Sequence, residues 1–228
     1  MSAVPDRPCR TAGPPVVESF ADLADRVRAT PARLGPVRLV AVDGPSGAGK
    51  TSFAGHLARA LGGAPVVHTD DLLDGWDDQF TFWGRLEEQV LDPLRHGRPA
   101  GYLRYLWHRR RFGGAPVMVE PAGTVLLEGV TAARAVIRPE LSLAVFVTAP
   151  ADLRLRRAQE RHLPAPGAEA PDSVALRDYL ERWRAAEDRH FATDATAAHA
   201  DLLVDGAVAP THDPDGRYVR LAVHHERA

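Results

Sequence analysis
The eight residues Gly44-Pro-Ser-Gly-Ala-Gly-Lys-Thr51 restrict the fold more than any other stretch of this chain. The spacing Gly-x-x-x-x-Gly-Lys-Thr works between a buried strand and the first turn of a helix, because the curl must aim successive main-chain N–H groups at one point. Both flanks are present. Val37–Val42 (VRLVAV) is a short, mostly β-branched run suited to a strand buried on both faces. Ser52–Leu61 (SFAGHLARAL) has helical periodicity until Gly62-Gly63 stops it. Lys50 is the only lysine, the other 27 Lys/Arg positions all being arginine. A planar guanidinium is too wide for such a curl, whereas an ammonium is a compact point charge that fits. The position kept its lysine because geometry required it.

The curl implies a polyphosphate ligand. Gly44, Gly47 and Gly49 let the backbone turn, Pro45, Ser46, Ala48 and Ser52 complete the loop, and the helix N-terminus adds partial positive charge. Lys50 is placed to reach the β and γ phosphates, and the Thr51 hydroxyl to reach Mg²⁺. ATP and Mg²⁺ are therefore the expected cofactors.

Elsewhere, short apolar strands alternate with helical patterns. Strands are expected at Val66–Thr69, Thr124–Leu127, Leu141–Thr148 and Ala200–Val204, and helices at Val17–Ala29, Thr81–Arg95 (with a break at Pro93), Ala151–Arg161 and Val174–His190. That alternation predicts an α/β fold, a central parallel sheet with helices on both faces. Residues 1–15 read as a tail and 16–228 as one domain. A hairpin insertion is expected at about 98–121, turning at Gly113-Gly114, and a lid at 151–175 around the proline-rich loop 162–173. The net charge of −2 gives no general attraction to nucleic acid or an anionic membrane. With no apolar run of about eighteen residues, no signal-like N-terminus and one cysteine, Cys9, the expected setting is the cytoplasm.

Transfer chemistry needs acids beside the phosphates. Two strands end in them, at Asp70-Asp71 and at Glu128-Gly129, and in a parallel sheet the carboxyl ends of strands are where ligands collect. An Asp after a strand also serves as a helix cap or turn residue. Arg154, Arg157 and Arg161 fall on one helical stripe beside the expected lid, where they would neutralise transition-state charge or form a solvated basic face. On the acceptor side, Trp76, Trp83, Trp107 and Trp183 offer flat surfaces for a ring or pack in the core. Asp71, Tyr102, Tyr105, His108 and Arg109 are polar candidates there. Arg104 and Arg109–Arg111 would suit an anionic acceptor or mark a surface hairpin tip.

DGPSGAGKT, HTDDLL, LLEGV, RLRRAQER and EDRHF with ADLLVDG, in this order from Val37 to Gly206, resemble the uridine kinase-like branch of the P-loop kinases. The resemblance implies a three-layer fold of the nucleoside monophosphate kinase type and phosphoryl transfer from ATP to a hydroxyl of a small molecule, a nucleoside or related ring compound. It implies Asp70 as general base near Mg²⁺, Glu128 as a metal organiser, and Arg154, Arg157 and Arg161 as phosphate-bracketing lid residues. The chain departs from that branch at Leu73, where an aromatic is usual, and at Leu106, where an acid usually meets the nucleoside. A nucleoside monophosphate kinase and a nucleotide-binding protein without transferase activity are the competing readings. No Asn-Lys-x-Asp guanine-reading motif is present.

Overall fold
Leu39 and Ala41 point to one side of their strand and Val40 and Val42 to the other, and all four are buried. This strand is therefore covered on both faces, and the fold is built outward from it. The computed structural model describes residues 15–121, 123–161, 173–207, 213 and 215–221, with main chain only at 161 and 173–177.

The strands are β1 (Val16–Ser19), β2 (Arg38–Asp43), β3 (Val66–His68), β4 (Ala100–Leu106), β5 (Arg111–Val119), β6 (Thr124–Glu128), β7 (Leu141–Thr148), β8 (Leu202–Asp205) and β9 (Arg217–Leu221). Seven form one sheet, in the order β1-β9-β8-β7-β2-β6-β3. The pairs β8-β7, β7-β2, β2-β6 and β6-β3 are parallel, and β9 and β1 are added antiparallel at the edge. The expected α/β sheet is present, with this antiparallel edge in addition.

Helices α1 (Phe20–Ala29) and α2 (Lys50–Ala60) cover one face, packing Leu23, Val27, Phe53 and Leu57 on Val40, Val42, Leu126 and Val145. The opposite face is covered by α3, which runs from Trp83–Leu86 through a π-helical turn, Glu87–Leu91, into Asp92–Arg95. Its Leu86, Val90 and Leu94 pack with Leu39, Ala41, Val125 and Leu127. Each such fully buried side chain contributes about 1.5–3 kcal/mol of transfer free energy. Pro93 lies inside α3 directly after the π-helical turn, so the expected break is seen as this departure from regular α-helical bonding. Helices α4 (Ala151–Arg161) and α5 (Ser173–Asp194) follow β7.

Two local expectations are corrected. The helix expected from Val17 begins at Phe20, because Val16–Ser19 pairs with β9 and the Ser19 hydroxyl caps the helix by accepting from Asp22 N–H at 3.0 Å. The β4–β5 hairpin turns at Trp107–Arg110 and not at Gly113-Gly114. Those glycines lie inside β5, opposite the irregular register between Tyr102 and Arg104, as glycine at a bulge does. Apart from residues 15 and 173, the expected tail 1–15 and loop 162–173 lie outside the described residues.

Candidate active site
The curl 44–49 leaves the carboxyl end of β2 and enters α2, the geometry its spacing predicts. Gly44 has φ +137°, and a Cβ there would lie 2.1 Å from the Val147 carbonyl oxygen of the neighbouring strand. Gly47 has φ +78°, and its Cβ would meet the Arg154 carbonyl oxygen at 2.4 Å. Neither position admits a side chain. Lys50 is buried, and its ammonium donates to the Pro45 carbonyl at 3.1 Å, inside the curl. Beneath it Asp43, fully buried, accepts main-chain N–H groups from Gly44 (2.6 Å), Thr131 (3.1 Å) and Ala133 (2.8 Å). It ties the strand end after β6 to the curl. Burial pushes the Asp43 carboxyl up to about 6, with those N–H donors and Lys50 pulling the other way.

Thr51 and Glu128 meet beside the curl, the hydroxyl donating to Oε1 at 3.2 Å. The second oxygen of this buried carboxylate lies 2.6 Å from His68 Nδ1 at the end of β3. That contact holds the His68 imidazole above its ordinary range. Among the described residues no cluster of three His, Cys, Asp or Glu could hold a metal unaided. Mg²⁺ does not require one: it takes one or two carboxylates and completes its shell with phosphate oxygens and water. The Thr51–Glu128 pair beside a phosphate-sized curl fits that donor set.

Asp70 and Asp71 occupy the 3₁₀ turn Thr69–Leu72 directly after β3. Asp70 is exposed, and Asp71 is half-buried, 3.2 Å from Arg104 and 3.4 Å from the Tyr102 hydroxyl, both on β4. Burial raises the Asp71 carboxyl, with the Arg104 guanidinium opposing. Of the arginines on α4, Arg157 donates to the Gly47 carbonyl (3.1 Å) and the Gly206 carbonyl (2.9 Å), clasping the curl to the end of β8. Arg154 donates through Nε to the Ala149 carbonyl at 3.1 Å. The Arg161 side chain lies outside the described residues.

One cavity adjoins the curl and a second lies by the hairpin turn. The first, about 750 Å³, is bounded by Lys50, Thr51, His56, Arg157, Gly206 and Tyr218, within the size range of small-ligand sites. Its far wall is a cluster of Phe20, Phe53 and Tyr218, with ring centroids 5.1–5.4 Å apart. The second, about 520 Å³, is lined by Trp76, Tyr105 and Trp107 with Asp74, Asp77 and Arg110. Trp76 lies 4.3 Å from Trp107, 4.8 Å from Tyr179 and 5.5 Å from Trp183, centroid to centroid. Trp83 stands apart, half-buried under the Arg134 guanidinium at 5.0 Å. Tyr102 is buried on Asp71, while His108 and Arg109 are exposed at the hairpin turn. None of these three lines the aromatic cavity.

Sequence reasoning missed Glu187. This fully buried carboxylate on α5 accepts from the Ser46 main-chain N–H (3.1 and 3.2 Å), the Ser46 hydroxyl and the Trp183 indole N–H (2.7 Å). A signal was available: Leu180, Trp183 and Glu187 share one helical stripe, so an acid occupies a core position. His68, the first cavity's aromatic wall, Asp74 and Asp77 were missed as well.

No family model matches the chain. The chain is 31% identical over 214 residues to a cytidylate kinase from Pseudomonas aeruginosa, covering 74% of this chain and 88% of that one. Similarity to the inorganic pyrophosphatase TTM1 of Arabidopsis thaliana is 28% over 145 residues, or 60% of this chain, which spans about a fifth (22%) of that relative. A structure described as a possible uridine kinase from Bacillus stearothermophilus superposes with a TM-score of 0.58 at 18% identity, over 81% of this chain and 96% of that one. One described as a fructose transport system kinase, from Silicibacter sp. TM1040, gives 0.60 at 21%, over 78% and 95%. These two likenesses are of fold. No helix among the described residues is long and apolar enough to cross a membrane.

Proposed function
Because this chain belongs to the P-loop kinases, we propose that it transfers the γ-phosphoryl group of ATP to a hydroxyl of a small acceptor, a nucleoside or related ring compound in size. One observation carries the reading: Lys50 lies inside the curl while Thr51 and Glu128 meet at its side, 3.2 Å apart. This joins a phosphate grip to a donor set for a divalent cation.

The triphosphate would lie in the curl, with its nucleoside in the cavity walled by Phe20, Phe53 and Tyr218. Thr51 and Glu128 would hold Mg²⁺, which when bound offsets charge on the phosphate oxygens. Asp70 accepts the acceptor's proton as the hydroxyl oxygen bonds to the γ-phosphorus and the bond to the β–γ bridging oxygen breaks, releasing ADP. Lys50 stabilises the charge developing on the transferred group. Arg157 holds the curl and the β8 end in one arrangement, so the N–H groups need not reorganise during transfer.

The test is Asp70→Asn, with phosphoryl transfer and ATP affinity measured side by side. A loss of turnover of about 100-fold or more at unchanged ATP affinity is expected, and near-normal turnover would defeat the assignment.

The cytidylate kinase relative favours a second reading, a monophosphate acceptor. Such an acceptor needs a basic pocket. Arg104 faces Asp71, and of Arg109–Arg111 only Arg110 lines the aromatic cavity, beside two aspartates. The charges favour the non-anionic acceptor. Supplying nucleosides and their monophosphates in parallel with ATP separates the two readings.

A further inference from the structure
We propose that the acceptor carries a cationic nitrogen, held against the faces of Trp76 and Trp107 beneath the carboxylates of Asp74 and Asp77; this rests on the reading of the site as a phosphotransferase. Three independent observations converge on it.

The first is the wall. Trp76, Trp107 and Tyr105 bound the cavity, with centroids 4.3 Å apart for the Trp76–Trp107 pair and 5.0 Å for Tyr105–Trp107. Tyr179 and Trp183 also contact the Trp76 ring, at 4.8 and 5.5 Å. Aromatic faces carry negative potential and attract a cation within about 6 Å of the ring centroid.

The second is charge. Among the described residues the carboxylates of Asp74 and Asp77 have no cationic partner, whereas their neighbours are matched: Asp78 with Arg85 at 2.8 Å and Asp71 with Arg104 at 3.2 Å. Arg110 is the one base in the lining, so the two acids leave the cavity net negative. A phosphorylated acceptor is repelled there, a neutral one gains hydrogen bonds to the acids without charge attraction, and a cation gains both.

The third is position and polarity. Trp183 donates to the Ser46 hydroxyl at 3.1 Å and lies 5.5 Å from Trp76, so the cavity begins one ring away from the phosphate curl. Leu106 is half-buried on β4, and Leu73 is buried in the core. Neither offers an oxygen to a ribose diol. The acceptor side thus combines aromatic faces with a net negative lining, which is the chemistry that receives a hydroxylated ammonium or heterocyclic cation.

The experiment titrates the full chain, by tryptophan fluorescence, with choline, with the neutral isostere of choline in which carbon replaces nitrogen, and with uridine. ATP affinity and ADP release are measured on the same samples. A saturable response to choline is expected, with the isostere at least tenfold weaker. Trp107→Leu and Asp77→Asn should each weaken choline at least threefold at unchanged ATP affinity, which also reports the folded state of each variant. Equal affinity for the isostere, saturation by uridine alone, or no saturable response to choline overturns the proposal. Transfer to uridine without choline binding leaves the kinase reading standing and sinks this one. Choline binding without ATP binding sinks the kinase reading, and with it the cation's role as acceptor, while the cation site itself stands.

Discussion
The indole nitrogen of Trp183 lies 3.1 Å from the Ser46 hydroxyl and 2.7 Å from Glu187 Oε1, so one N–H is shared between the phosphate curl and the buried carboxylate that braces it. Trp183→Phe keeps the ring and withdraws the donor. A hydrogen bond of this kind contributes about 0.5–1.5 kcal/mol, so KM for ATP should rise about twofold to tenfold while kcat is nearly unchanged. Initial rates at varied ATP measure this, and an unmoved KM would show that Ser46 is held without Trp183.

Lys50→Arg preserves charge and changes shape. If the curl admits only a compact ammonium, kcat/KM should fall by about 100-fold or more, equivalent to about 2.7 kcal/mol of transition-state stabilisation. Circular dichroism should remain that of the parent. An arginine variant of near-parental activity would contradict the explanation for the chain's one lysine.

Arg157 satisfies two main-chain carbonyls at once, those of Gly47 and Gly206. Arg157→Ala leaves both without that donor, at a cost of about 1–3 kcal/mol. In a domain of about 200 residues this lowers Tm by roughly 2–4 °C per kcal/mol. Differential scanning calorimetry without nucleotide reads the shift, and an unchanged Tm would mean that the clasp adds nothing to the resting fold.

The Asp43 carboxyl is raised from its ordinary 3.8 to about 6, chiefly by burial. The folded state therefore holds this proton more tightly than the unfolded chain. Its contribution to stability is full below about pH 4, declines as pH rises to about 6, and is constant above. Asp43→Asn removes the titration, so the parent's stability relative to the variant should shrink by about 3 kcal/mol between pH 3.5 and 7.5. Urea unfolding of both proteins across that range measures it, and a pH-independent difference would refute the buried titration.

What the sequence revealed and what it hid divide along physical lines. The curl around Lys50 and the strands on either side of it were legible because a phosphate loop is specified by a handful of neighbouring residues. β1 and β9 were not: each has few residues, and their pairing joins Val17 to Val219 across the length of the chain, which no local pattern announces. Gly113-Gly114 read as a turn because two glycines usually are one, but the chain turns at Arg110, a non-glycine residue at φ +50°. Glu187 stayed hidden because an isolated helix gives no hint that its core-facing acid meets main-chain donors from Ser46, 141 residues earlier.

One short turn, Thr69–Leu72, carries neighbouring acids that answer to different parts of the molecule. Asp70 sits at the sheet's carboxyl edge, while Asp71 is gripped by Tyr102 and Arg104 of the hairpin. The hairpin thus reaches the sheet edge through Asp71, and the residue beside it along the backbone is Asp70.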